Sequence, residues 1–152
     1  MIPKEIIIHH SASSADTTLE QINAWHKARG FTVSSLGNYV GYHYVIDKTG
    51  KIFQTRRDNE IGCHTIPNEG KIGVCLIGNF QTLFAPKAQI TAMLNLVKEL
   101  KKLYNINEIK GHRDFQNTEC PGDNLYLYVL ADRITFIQKL INLFKKTFYS
   151  HV

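Results

Sequence analysis

The stretch EIIIHH, residues 5–10, decides the fold. Three consecutive isoleucines suit a strand covered on both faces, since a half-exposed strand would alternate apolar with polar residues. IGVCLI, residues 72–77, has the same character and is closed by Gly78 and Asn79. Two such strands imply a sheet with layers on either side. Working outward, Thr17 with Glu20, or Thr18 with Gln21, forms a capping box opening a helix that carries Leu19, Ile22 and Trp25 inward and stops at Gly30. Residues 42–46 and 51–55 flank Asp47-Lys48-Thr49-Gly50 as a hairpin. Pro86 to Tyr104 shows the helical period, with Ile90, Met93, Leu94, Val97, Leu100 and Leu103 on one face. A short strand over residues 106–111 follows. From Leu125 a last helix carries Leu130, Ile134, Ile137, Leu140, Ile141 and Phe144, with Lys139, Lys145 and Lys146 outward, and is expected to lie on the core as a lid. This order predicts an α/β fold, a single domain over residues 1–152 with a central mixed β-sheet flanked by helices, its core spanning about 4–130 and its C-terminal helix 125–148.

A chain of 152 residues, 43% hydrophobic, is long enough to bury one substantial core. Eighteen Lys and Arg against thirteen Asp and Glu leave a formal charge of +5, which favours approach to polyanions such as cell-wall polymers, nucleic acid or acidic lipid without choosing among them. The cysteines, Cys63, Cys75 and Cys120, are odd in number and scattered, which argues against a disulfide framework. MIPKEIIIHH lacks the cleavage site and apolar length of a signal peptide, so synthesis in the cytoplasm is expected. No apolar run approaches the length that spans a bilayer.

The chemistry concentrates in GHRDFQNTECPG, residues 111–122. Imidazole and thiolate are both ligands that zinc accepts in tetrahedral geometry, so His112 and Cys120 are candidate ligands, and a third must come from elsewhere. His9 or His10, at the end of the first strand, can supply it if that strand lies parallel to the one before His112. Three protein ligands would leave a fourth position for water, the arrangement of a catalytic zinc site.

These residues resemble the zinc-dependent N-acetylmuramoyl-L-alanine amidases of the bacteriophage-lysozyme type, which share a fold with animal peptidoglycan recognition proteins. The resemblance is carried in order by IIIHHSAS (6–13), WHKARG (25–30), GYHYVI (41–46), DKTGKIFQTR (47–56), Cys63-His64, IGVCLIGN (72–79) and GHRDFQNTECPG (111–122). It implies one zinc ion held by His9, His112 and Cys120. Tyr42 would orient or deprotonate the attacking water, and Thr118 would stabilise the oxyanion. His26 and His64 would line the groove where the muropeptide lies. The implied activity is hydrolysis of the amide between N-acetylmuramic acid and L-alanine in peptidoglycan, by a phage or prophage endolysin acting on the bacterial wall as a monomer, with no nucleic-acid partner. The connector over residues 31–40 is longer than the family's usual link, so one wall of the groove is expected to differ.

Plainer roles stand beside these. His10 falls on the opposite strand face from His9 and is read as a packed neighbour. His43 is read as structural, His151 as tail, and Cys75 as a small core hydrophobe. Arg113 and Asp114 are expected to brace the motif loop; Arg56 either fixes the hairpin or binds a carboxylate. Two rival functions are a non-catalytic peptidoglycan-binding module and a cysteine hydrolase using Cys120 as nucleophile and His112 as base.

Overall fold

The computed structural model describes residues 1–149. The readings made above for Phe144, Lys145, Lys146 and His151 fall outside the described side chains. Five strands, β1 (Glu5–His10), β2 (Tyr44–Ile46), β3 (Ile52–Gln54), β4 (Lys71–Leu76) and β5 (Ile109–Gly111), form one mixed sheet in the order β3-β2-β4-β1-β5. All neighbouring pairs are parallel except β2 with β3, the hairpin. Its turn is closed by the Asp47 carboxylate, which accepts from the backbone of Thr49 and Lys51, and Gly50 takes a positive φ of 87° there.

The isoleucine run is explained by position. β1 lies between β4 and β5, and Ile6, Ile7 and Ile8 are all fully buried. Ile6 and Ile8 face α2 (Lys87–Tyr104) and the start of α3 (Asp123–Tyr149), packing in one cluster with Met93, Val97, Leu100, Leu125 and Val129. The opposite face packs Val45, Cys75 and Ile77 against Ile22 of α1 (Leu19–Ala28). Full burial of one such aliphatic side chain contributes about 1.5–3 kcal/mol, so the two layers supply most of the stabilisation. The three cysteines are free.

Local signals fared well at element level and less well at single side chains. The capping box is the one at Thr18, whose hydroxyl accepts from Gln21 N–H while Gln21 Oε1 accepts from Thr18 N–H. Strands β2 and β5 begin later than expected, at Tyr44 and Ile109. Trp25 is not inward: it is 46% exposed, and His26 turns into the protein with Ile22, because residues four apart share a helix face. Leu94 and Leu103 are likewise exposed at the edges of the α2 stripe. Gln89 is fully buried in that stripe, its amide donating to the carbonyls of Ile46 and Ile77 where β2 and β4 end. The expectation that the last helix lies on the core as a lid is corrected more strongly. Leu130, Ile134, Ile137, Leu140 and Ile141 are exposed, and the buried side of α3 is formed by Leu125 and Val129.

Candidate metal centre

β1 and β5 are parallel neighbours with Ile8 paired to Gly111, so His9 and His112 leave the sheet at the same level. Their ring centroids are 4.6 Å apart. Chain alternation sends His9 to the α1 side, and His10 to the other, where its Nδ1 accepts from Phe80 N–H. After a short 3-10 turn (His112–Asp114) the loop folds back, and Arg113 N–H donates to Cys120 C=O at 2.9 Å. The Arg113 guanidinium holds Asp123 Oδ1 at 2.6 Å and the Glu119 carbonyl; Asp114 accepts from Gly111 N–H, Tyr126 and Arg133. Both residues brace the loop. Gly122 closes it at φ +88°, and a Cβ there would lie 2.3 Å from the Phe80 carbonyl carbon, so only glycine permits this approach.

The result is one cluster in which His9, His112 and Cys120 each bring a donor atom within 4.8 Å of the others. Cys120 Sγ stands 3.6 Å from His9 Nδ1. Two atoms bound to one tetrahedral zinc at about 2.3 and 2.0 Å stand about 3.5 Å apart, so this pair fits a shared ion. The outer nitrogens are engaged as such a site requires: His9 Nε2 meets His64 Nδ1 at 3.0 Å, and His112 Nε2 meets Gln116 Oε1 at 2.7 Å. With Nε2–H donating in each, both Nδ1 lone pairs are left for a cation.

Electrostatics keep His9 and His64 neutral, as metal ligation by His9 requires. Burial, then the neighbouring His64 and His112, holds His9 well below the usual imidazole range, and burial followed by His43 brings His64 down to about 3. Burial pushes the Cys120 thiol up to about 12. A free thiolate is therefore disfavoured at neutral pH, which argues against Cys120 as an unaided nucleophile; a bound cation would supply the missing charge.

An open groove of about 380 Å³ leads to the cluster, lined by Tyr42, His26, His64, His112, Phe31 and Arg29 among others. The Tyr42 ring lies 5.1 Å from that of His9. Burial, then the adjacent Cys75 thiol, raises its phenol well above its usual range. His64 is buried, wedged where a Cβ on Gly62 or Gly73 would collide with its ring, and its Nδ1 meets His9. His26 is also mostly buried; its Nδ1 accepts from Gly41 N–H at 3.0 Å and its ring packs on Phe31. Thr118 lines a separate hollow with Gln81 and Arg113, and its hydroxyl oxygen accepts from Cys120 N–H at 3.2 Å. His43 is structural, bridging Gly73 N–H and the Glu60 carbonyl. Arg56 is buried and, among the described residues, its guanidinium donates to the backbone carbonyls of Val40, Ile61 and Thr32, which fixes the connector rather than binding a carboxylate. Sequence reasoning missed Gln116 and Arg29. The available signal was spacing: Gln116 lies four residues after His112, and Arg29 three after His26 on one helix face.

Residues 1–123 match the N-acetylmuramoyl-L-alanine amidase family profile. The chain belongs to that amidase family. Among similar proteins, the endolysin of Klebsiella phage KP32 is 31% identical over 129 residues, covering 80% of this chain and 82% of its own. Peptidoglycan-recognition protein SC2 of Drosophila melanogaster is 33% identical over 132 residues, covering 79% and 68%. The solved structure of the endolysin N-acetylmuramoyl-L-alanine amidase LysCS from Clostridium intestinale superposes with a TM-score of 0.74 at 34% identity, covering 82% of this chain and 78% of that one. The amidase match ends where α3 begins. No described helix of this amidase is long and apolar enough to cross a membrane.

Proposed function

We propose that this amidase hydrolyses the amide between N-acetylmuramic acid and L-alanine in peptidoglycan with one zinc ion held by His9, His112 and Cys120, and that it serves as a phage or prophage endolysin. The observation that carries the reading is the convergence of two imidazoles and one thiol within 4.8 Å, with His112 lining an open groove. When bound, such an ion lowers the pKa of water to about 7 and polarises a carbonyl. The protein's own residues do the rest. His64 and Gln116 fix the tautomers of His9 and His112. Tyr42, a neutral phenol beside His9, orients the attacking water and donates a hydrogen bond to the developing oxyanion. Thr118, in the neighbouring hollow, accepts from Cys120 N–H and so holds the backbone that presents the thiol. His26 and Phe31 form an aromatic wall for the sugar and peptide, and Arg29 offers a cation to a stem-peptide carboxylate.

The test is loss of turbidity of a cell-wall suspension. Lysis abolished by a chelator and restored by one equivalent of zinc supports the reading, as does loss of zinc in His9→Ala but not in His10→Ala. Lysis indifferent to chelator but blocked by thiol alkylation would instead establish the cysteine hydrolase. Wall binding without lysis would establish the binding module.

A further inference from the structure

The helix that follows the metal loop is longer than the domain requires. α3 runs from Asp123 to Tyr149, about 40 Å at 1.5 Å per residue. Its inner side is used near the start: Leu125 and Val129 are buried, and Asp132 accepts from Lys101 at 2.7 Å and from Ile109 N–H at 3.0 Å. Roughly opposite these, at 100° per residue, a second apolar stripe faces away from the domain. Leu127 is 59% exposed and Ile134 67%, with Leu130, Ile137 and Ile141 also exposed between and beyond them.

The spacing of these five residues is informative. Leu127, Leu130, Ile134, Ile137 and Ile141 follow one another at intervals of three, four, three and four, the a/d pattern of a coiled-coil seam, and the sequence continues it at Phe144 and Phe148. Position a holds Leu127, Ile134 and Ile141, and position d holds Leu130 and Ile137, so every seam position carries a branched aliphatic side chain. The charges nearby do not oppose pairing. Arg133 is engaged by Asp114, Asp132 by Lys101, and Lys139 lies at the outer f position.

We propose that α3 is a dimerisation element: two copies of this chain pair through the Leu127–Leu130–Ile134–Ile137–Ile141 seam. From the exposed fractions, the seam and neighbouring Leu140 offer on the order of 500 Å² per protomer, or about 1,000 Å² for the pair, which reaches the threshold for a specific interface and fits a reversible dimer. Because α3 starts three residues after Cys120, pairing fixes the spacing of two catalytic centres on a polymeric substrate. This revises the monomer expected from sequence, and it does not rest on the metal or on the proposed hydrolysis.

The experiment is sedimentation equilibrium of the full chain, comparing wild type with an Ile134→Glu/Ile137→Glu variant and a Lys139→Glu control, with circular dichroism verifying the fold of each. Both isoleucines are exposed, so the domain folds without them. The expected result is a wild-type mass that rises towards twice the monomer over about 1–200 µM and a double variant whose dissociation constant is raised at least about 100-fold, while the control is unchanged. A wild type that stays monomeric throughout overturns the proposal. So does a dimer insensitive to the double substitution. In parallel, flotation with vesicles of phosphatidylglycerol and phosphatidylethanolamine is expected to leave the protein unbound; a monomer that binds them through the same isoleucines would replace the second copy with a lipid surface.

Discussion

Replacement of His64 by alanine separates a metal-positioning role from a groove-lining one. His64 Nδ1 lies 3.0 Å from Nε2 of His9, which is 1% exposed, and the space an alanine leaves in the groove wall offers only a mobile water in place of a fixed partner. A His9 N–H left without a partner costs up to about 1–3 kcal/mol. Loss of an outer partner of a metal-bound imidazole weakens metal affinity by about 10–100-fold, equivalent to about 1.4–2.7 kcal/mol, and the two ranges overlap as they should if one hydrogen bond carries the effect. The assay is zinc competition against a chromophoric chelator at pH 7.5, alongside turnover of a soluble muropeptide at saturating zinc. The expected result is weaker zinc binding with most of kcat recovered when zinc is in excess. An unchanged zinc affinity in a folded His64→Ala protein, with only KM raised, would refute the argument and return His64 to the groove wall.

Three further predictions follow from the same geometry. Tyr42→Phe keeps the ring beside His9 and removes the hydroxyl; zinc content is expected to be unchanged while kcat falls about 10²–10³-fold, measured by single-turnover muropeptide cleavage. His26, held down to about 4 chiefly by burial and then by Arg29, makes stability depend on pH: below about 6.5 the unfolded chain takes a proton that the folded protein refuses, so stability is lost as pH falls from about 6.5 towards 4, by up to about 3 kcal/mol from this group. Urea titrations should show a smaller loss over that window for His26→Gln, whose amide oxygen can still accept from Gly41 N–H; an equal loss would sink the assignment. Arg56→Met retains the buried stem but leaves the Val40, Ile61 and Thr32 carbonyls without their donor, and is expected to lower unfolding free energy by about 3 kcal/mol and raise KM through the connector that carries Phe31.

Sequence by itself determined the strands, the helices and the candidate ligand set, because each rests on a local or collinear signal. A run of isoleucines has to be covered on both faces, alternation puts His9 and His10 on opposite ones, and the order of motifs from IIIHHSAS to GHRDFQNTECPG carries the family. Tertiary structure alone decided which nitrogens are committed and which apolar residues are buried. His64 became a partner of His9 because the Gly62 and Gly73 positions leave room for its ring, a fact of packing between distant segments. Trp25 and His26 exchanged their expected roles because the angle at which α1 meets the sheet selects the inner face. The stripe on α3 reads in sequence like the inside of a lid. It faces outward because Leu125 and Val129 already satisfy the sheet, and a helix offers one core only one side.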